Sequence, residues 1–187
     1  MKVFHGSPSI DIDSFNLDNI RYQSLEGLGV YFTPDYRVAR KYAGSEGAVY
    51  LCSFKSSYIL DATSIDSFDE LFENIKAHLK IDIVKNKNFK VFLKNLTSGQ
   101  YQISNHNNEG LTSHILRILK KDESIDSDFL DEQESVLNEI VDDFLNGYSI
   151  IKYLDTNKEI VFICKKPELI KIEKVIVVGS DDDINYL

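Results

Sequence analysis

The chain has 187 residues, enough for one domain with a sizeable core. Hydrophobic residues make up 43% and charged residues 27%, the balance of a soluble globular protein rather than a disordered or fibrous one. A net charge of −9 repels phosphate backbones and makes a nucleic-acid partner a poor expectation, while leaving room for one small anionic cofactor at a locally positive site.

In chain order, MKVFHGSPS holds no apolar run of signal-peptide length. KVFH (2–5) reads as a short strand ended by the turn signal GSPS, and residues 9–28 read as a loop. GVYFT (29–33) is a second strand. TPDYRVARKYAG then predicts a helix, with Thr33 as N-cap, Pro34 at the first helical position and Asp35 complementing the dipole. Val38 and Tyr42 lie four apart and share a face. Gly44 suits the left-handed position that ends a helix. AVYLCSF (48–54) and YILDA (58–62) are further strands.

The middle of the chain is helical. SFDELFENIKAHL (67–79) repeats Phe68, Leu71, Phe72, Ile75 and Leu79 at helical spacing, with Ser67 and Glu70 spaced as a capping box. NFKVFLKNL (88–96) and LTSHILRILKK (111–121) predict shorter helices, and DEQESVLNEIVDDFLNG (131–147) a longer one stopped by Gly147. The polar linkers 97–110 and 122–130 are expected to be mobile. Strands return in YSIIKYL (148–154) and EIVFICK (159–165), on either side of the hairpin-like DTNK, and in KIEKVIVVG (171–179). SDDDINYL is expected to be an acidic, frayed tail. Strands, then helices, then strands predict an α+β fold, one domain over 1–187 with a helical insert at about 64–147.

Several chemistries are excluded. GLG (27–29) lacks the third glycine of a dinucleotide fingerprint, and no GxxxxGK[ST] cradle for phosphate is present. The histidines are His5, His78, His106 and His114; no two have metal-ligand spacing, so no metal is expected. His78 and His114 fall within helices as surface or packing residues, and His106 reads as a solvated loop residue. Cys52 and Cys164 sit in apolar strands as small core residues, which suits a reducing cytoplasm. No window has the 18 or so apolar residues of a membrane span, so no membrane partner is expected.

Three features remain: His5-Gly6-Ser7 at the end of the first strand, Gly29-Val30-Tyr31-Phe32-Thr33 leading into the helix with Tyr42, and Glu159 opening IVFIC after a turn. In order and element type, VFHGS, then GLGVYFTPDYRVARKYAG with AVYLCSF, then NKEIVFICKKPELIKI resemble the ADP-ribosyltransferase superfamily. The resemblance is to its His-Tyr-Glu branch, that of diphtheria-type toxins and poly(ADP-ribose) polymerases, and covers about a third of the chain. It includes the eleven-residue gap between Tyr31 and Tyr42.

The resemblance implies a split antiparallel sheet as core, NAD as co-substrate, and transfer of ADP-ribose to a macromolecule with release of nicotinamide. Cleaving the bond from nicotinamide to ribose develops positive charge on the ribose, so such a site must hold the ring, orient the sugar and stabilise a transient cation. Glu159 would bind a ribose hydroxyl and set negative charge beside that cation. Tyr31 and Tyr42 would stack on the two faces of the nicotinamide, with Phe32 beside them. The backbone of Gly6 would grip the carboxamide, where a side chain would hinder approach. His5 would donate to a ribose hydroxyl, and Ser7 would add a hydroxyl contact. The catalytic set implied is His5, Tyr31 and Glu159, with Asp155 as the fallback carboxylate.

Two positions depart from the branch patterns. Ala39 stands where the polymerase branch carries a serine for the nicotinamide amide. Asn157 stands where arginine-directed toxins carry Glu or Gln, so arginine is not the acceptor expected. A protein target fits the acidic surface better than free nucleic acid. Small stand-alone members of the superfamily serve as toxins of toxin–antitoxin pairs and as phage proteins that inactivate host defences, including CRISPR complexes, and residue types do not separate these roles. The alternative is a degenerate module of the same fold that binds NAD or a partner without turnover. Taken singly, Tyr31 and Tyr42 also read as core residues, and the helical insert reads equally as plain core, cleft cover or target dock.

Overall fold

The computed structural model describes residues 1–17, 29–55, 58–101, 103 and 110–187. Its strands are β1 (Lys2–Ser7), β2 (Val30–Phe32), β3 (Ala48–Phe54), β4 (Ile59–Asp61), β5 (Ile150–Leu154), β6 (Ile160–Cys164) and β7 (Ile170–Val177). Helix α1 (Tyr36–Ala43) lies between β2 and β3. Between β4 and β5 come α2 (Asp69–Leu79), α3 (Phe89–Thr97), α4 (Leu111–Leu119), α5 (Ser127–Glu132) and α6 (Glu134–Asn146), and α7 (Asp181–Tyr186) follows β7. The fold is α+β, with α2 to α6 grouped between early and late strands.

The strands form two sheets, one ordered β1-β3-β7 and the other β2-β6-β5-β4. The first is antiparallel throughout; in the second, β4 runs parallel to β5, a departure from the all-antiparallel expectation. A parallel neighbour needs a long crossover, and the helical insert is that crossover. Strand alternation divides the core. Phe162 and Cys164 of β6, with Val30 and Phe32 of β2, join Val3, Tyr50 and Cys52 in a core between the sheets. Ile163, Ile151 and Tyr153, on the opposite face of the second sheet, join the helical core of Phe68, Phe92, Leu119 and Leu137. The insert therefore builds core against the second sheet. On the outer face of the first sheet, Ala39 and Ala43 of α1 pack with Val49 and Ile176. Both cysteines are buried.

Local expectations fail where long-range partners intervene. Thr33 is not the N-cap of α1, because its backbone pairs with Phe4 (N···O 2.8 and 2.9 Å). Asp35 takes that role, its carboxylate accepting the Arg37 N–H at 2.8 Å. Gly44 ends α1 with φ of +71°, but its ψ of −155° lies outside the left-handed helical well. The capping box at Ser67 and Glu70 does not form; a 3-10 turn over Ile65–Phe68 leads into α2, and neither N-terminus has a side-chain cap. Helix α5 occupies part of the 122–130 linker, and the 131–147 helix starts at Glu134. The tail is no frayed end: Ser180 caps α7, whose Asp183 is 1% exposed. His106, Gly27 and much of the 9–28 loop lie outside the described residues.

Candidate active site

The site begins where β1 and β2 part. An isolated bridge between Phe4 and Thr33 joins the two sheets. Tyr31 presents its carbonyl on the same edge of β2 as Thr33, two residues on. Its partner is the His5 side chain rather than backbone: Nδ1 lies 2.8 Å from the Tyr31 oxygen. A carbonyl only accepts, so Nδ1 carries the proton. Burial lowers the pKa of His5, against a smaller opposing effect of that hydrogen bond, and the ring is neutral at neutral pH. Phe15, Phe32 and Tyr50 surround it, with Phe15 edge-on at 4.9 Å. In this tautomer Nε2 is an acceptor. The donor role expected of His5 toward a ribose hydroxyl would need a proton on Nε2 as well.

Beside His5 opens a cleft of about 320 Å³. It brings together His5, Gly6, Tyr31, Phe32 and Tyr42, five of the residues singled out in the sequence. Tyr42 is 68% exposed, so its ring reaches the cleft from the surface side of α1. Tyr31 is half-buried against the helical core. Phe32, at 2% exposure, belongs first to the core between the sheets and reaches the cleft from below. Ser7 does not line the cleft; it ends β1, which runs through the Gly6–Ser7 expected as a turn, and its hydroxyl accepts the Ser9 N–H at 3.1 Å.

The far wall is the β5–β6 hairpin. Tyr153 and Val161 face one another across its ladder and line the cleft, as does Asp155. Glu159 is two residues from Val161, hence on the same face, and its carbonyl pairs with the Asp155 N–H at 3.0 Å. Glu159 itself falls just beyond the lining residues, at the rim. Its carboxylate stands 3.8 Å from Lys41 Nζ of α1, and its own N–H is held by the Asp155 carboxylate at 2.8 Å. That carboxylate also accepts from the Asn157 N–H at 2.8 Å, and Lys158 turns the corner with φ of +64°.

Gly6 and Ala39 meet at the bottom of the cleft. A Cβ on Gly6 would lie 1.7 Å from the Ala39 carbonyl oxygen. The glycine is required by α1 itself, which lies directly on β1 there. Reading the sequence missed Phe4, Val38, Tyr153 and Val161 as cleft residues. Val38 alone left a signal, its four-residue spacing from Tyr42; Phe4 and Tyr153 look like any other strand aromatic. Among the described residues no cluster of metal-ligating side chains occurs, and no helix is long and apolar enough to cross a membrane.

These residues all fall within a longer match to known proteins. The family model for the ADP-ribosyltransferase in polyvalent proteins matches residues 1–172. No curated protein matches the chain. One solved structure, described as the crystal structure of an anti-CRISPR protein, aligns over 95% of this chain and 93% of its own at 15% identity. Its TM-score of 0.35 is too low to bear on function. The family match covers both sheets as far as the start of β7 and every residue of the cleft, and on that ground the chain belongs to the ADP-ribosyltransferases of polyvalent proteins.

Proposed function

We propose that this protein is a mono-ADP-ribosyltransferase that moves ADP-ribose from NAD to a protein target and releases nicotinamide. The observation that carries the reading is the cleft in which His5 and Gly6 of β1, Tyr31 of β2 and Tyr42 of α1 converge beside the Asp155–Glu159 turn. Separated segments meeting at one apolar slot with a carboxylate at its rim suit a flat cationic leaving group attached to a sugar.

Tyr31 and Tyr42 hold the nicotinamide between them and bury its faces. The Gly6 backbone takes the carboxamide. His5 Nε2 accepts a ribose hydroxyl, with the ring orientation fixed by the Tyr31 carbonyl. Glu159 binds a second hydroxyl and stabilises the cationic ribose as the glycosidic bond breaks. To do so it leaves Lys41. That pair is long and Lys41 is 72% exposed, so breaking it costs little.

A second reading has its own support: Ala39 stands at the serine position, and Glu159 is at the rim rather than in the slot. In that reading the cleft binds NAD without turnover. Labelled NAD and a cell lysate separate the two. Release of nicotinamide with a labelled protein band, both abolished in Glu159→Gln, is the outcome expected of the transferase. NAD binding without release, with or without lysate, establishes the binding module instead. Tyr31→Ala and Tyr42→Ala variants that stay folded and bind NAD like wild type would remove the ring clamp from either account.

A further inference from the structure

Helix α1 supplies Val38, Ala39 and Tyr42 to the cleft, yet it has only eight residues, too few to be stable alone. Its stripes face different ways. Ala39 and Ala43 lie on the first sheet, Val38 and Tyr42 face the cleft, and Tyr36 and Arg40 turn toward α7. At 3.6 residues per turn, Arg40 and Tyr42 are about 160° apart, on opposite flanks of the helix.

The flank away from the cleft is gripped. Asp183, buried at 1% exposure, receives both arms of the Arg40 guanidinium at 2.7 and 2.9 Å. The same carboxylate accepts the Tyr36 hydroxyl at 2.6 Å and the Gly179 N–H at 2.8 Å. Tyr186 stacks on Tyr36 with centroids 4.8 Å apart, and meets Phe4, a cleft residue, edge-on at 5.9 Å. Arg37 donates to the Leu187 carbonyl. Lys174 of β7 holds Asp182 at 2.7 Å, so α7 is tied to the sheet as well as to α1. Asp183 and Tyr186 lie beyond the residues matched by the family model, whereas their partners Phe4, Tyr36 and Arg40 lie within it.

We propose that α7 is a clasp that positions α1 for ligand binding, with Asp183 on Arg40 and Tyr186 on Tyr36 setting the rotation of α1 at which Ala39 and Tyr42 wall the cleft. The clasp adds no lining residue to the slot and reaches it only through Phe4, so its residues are positioning residues. It works through geometry: a bidentate carboxylate–guanidinium pair fixes direction as well as distance, and the Tyr36 ring beneath it blocks rolling toward β1. The identity of the ligand as NAD rests on the transferase reading; the clasp itself does not.

The test uses the full chain and two variants. Asp183→Asn keeps the shape, but its amide nitrogen accepts nothing from Arg40 or Gly179. Arg40→Lys keeps the charge and loses the fork. Backbone amide exchange is read over residues 36–44, with 134–146 of α6 as internal control. In Asp183→Asn the α1 amides are expected to lose nearly all their protection, with α6 unchanged, as local opening requires. If α1 is then competent about a tenth of the time, the Kd and KM for NAD rise about tenfold while kcat stays within about threefold. Arg40→Lys falls between wild type and Asp183→Asn on every readout. Unchanged α1 exchange overturns the clasp. So does equal acceleration of α1 and α6, which marks a plain contribution to global stability, and so does an opened α1 with unaltered NAD affinity. A wild-type protein that binds no NAD refutes the transferase reading instead, and the exchange arm alone then upholds or overturns the clasp.

Discussion

Gly6 sits where β1 and α1 come closest, and it shows how one residue serves two neighbours. Read as sequence, it is a ligand contact. The backbone adds a stricter demand, since any Cβ would lie 1.7 Å from the Ala39 oxygen and 2.7 Å from its carbon. Those are main-chain atoms and cannot swing aside. Gly6→Ala is expected to displace α1 and to lower stability by about 1–3 kcal/mol, the usual cost of overpacking. Denaturant midpoints check it; a midpoint equal to wild type would mean that α1 does not lie on β1 this closely. His5 carries a similar lesson. Its place in the first strand is legible in the sequence, although the strand runs on through Ser7, but not the direction of its hydrogen bonds. That direction follows from the Tyr31 carbonyl, which spends the proton on Nδ1.

At the scale of the element, α1 is legible in the sequence because Pro34 and Gly44 bracket a run with an apolar stripe, yet its start is displaced. Thr33 has the side chain of a good cap, but its backbone is committed to the Phe4 bridge, so the helix opens two residues later on Asp35. Asp35→Ala is expected to cost about 1 kcal/mol, as loss of an N-cap does. A comparison of thermal unfolding in Asp35→Ala and wild type reads this directly, and an unchanged melting temperature would leave the cap without energetic weight. The same limit of local reading explains α7. Three adjacent aspartates predict mutual repulsion and fraying. The guanidinium that neutralises Asp183 lies 143 residues away, and the Tyr186 ring finds Tyr36 and Phe4 only after folding. The helical insert is more legible, since its apolar spacing reflects burial that helices obtain among themselves. The parallel pairing of β4 with β5 is not, because it is decided by where that insert returns the chain.

For the molecule as a whole, the two ends of the fold respond differently to acid. In the helical insert His114 is half-buried, its ring stacked on Tyr101 at 4.1 Å and nearly parallel, and its Nδ1 has no hydrogen-bond partner among the described residues. Burial, aided by the charge of Arg117, lowers its pKa to about 4. At the clasp, the hydrogen bonds from Arg40 and then those from Gly179 and Tyr36 hold the Asp183 carboxyl well below the ordinary range, against the opposing effect of burial. As pH falls from 7, the unfolded chain protonates His114 first, near 6.5, while the folded chain resists until about 4. Stability therefore drops across that window, with a share from His5. Asp183 contributes fully above the ordinary Asp pKa of 3.8, and that contribution is lost only below it. His114→Phe keeps the stack on Tyr101, removes the unpaired nitrogen and deletes one titration. Its urea midpoint is expected to equal or exceed that of wild type at pH 7.5, and its loss between pH 7.5 and 4.5 to be smaller. Equal losses in the two proteins would show that His114 protonates freely in the folded state. A flatter profile in the variant would assign the first stage of acid unfolding to the insert and leave the clasp on α1 intact until the second.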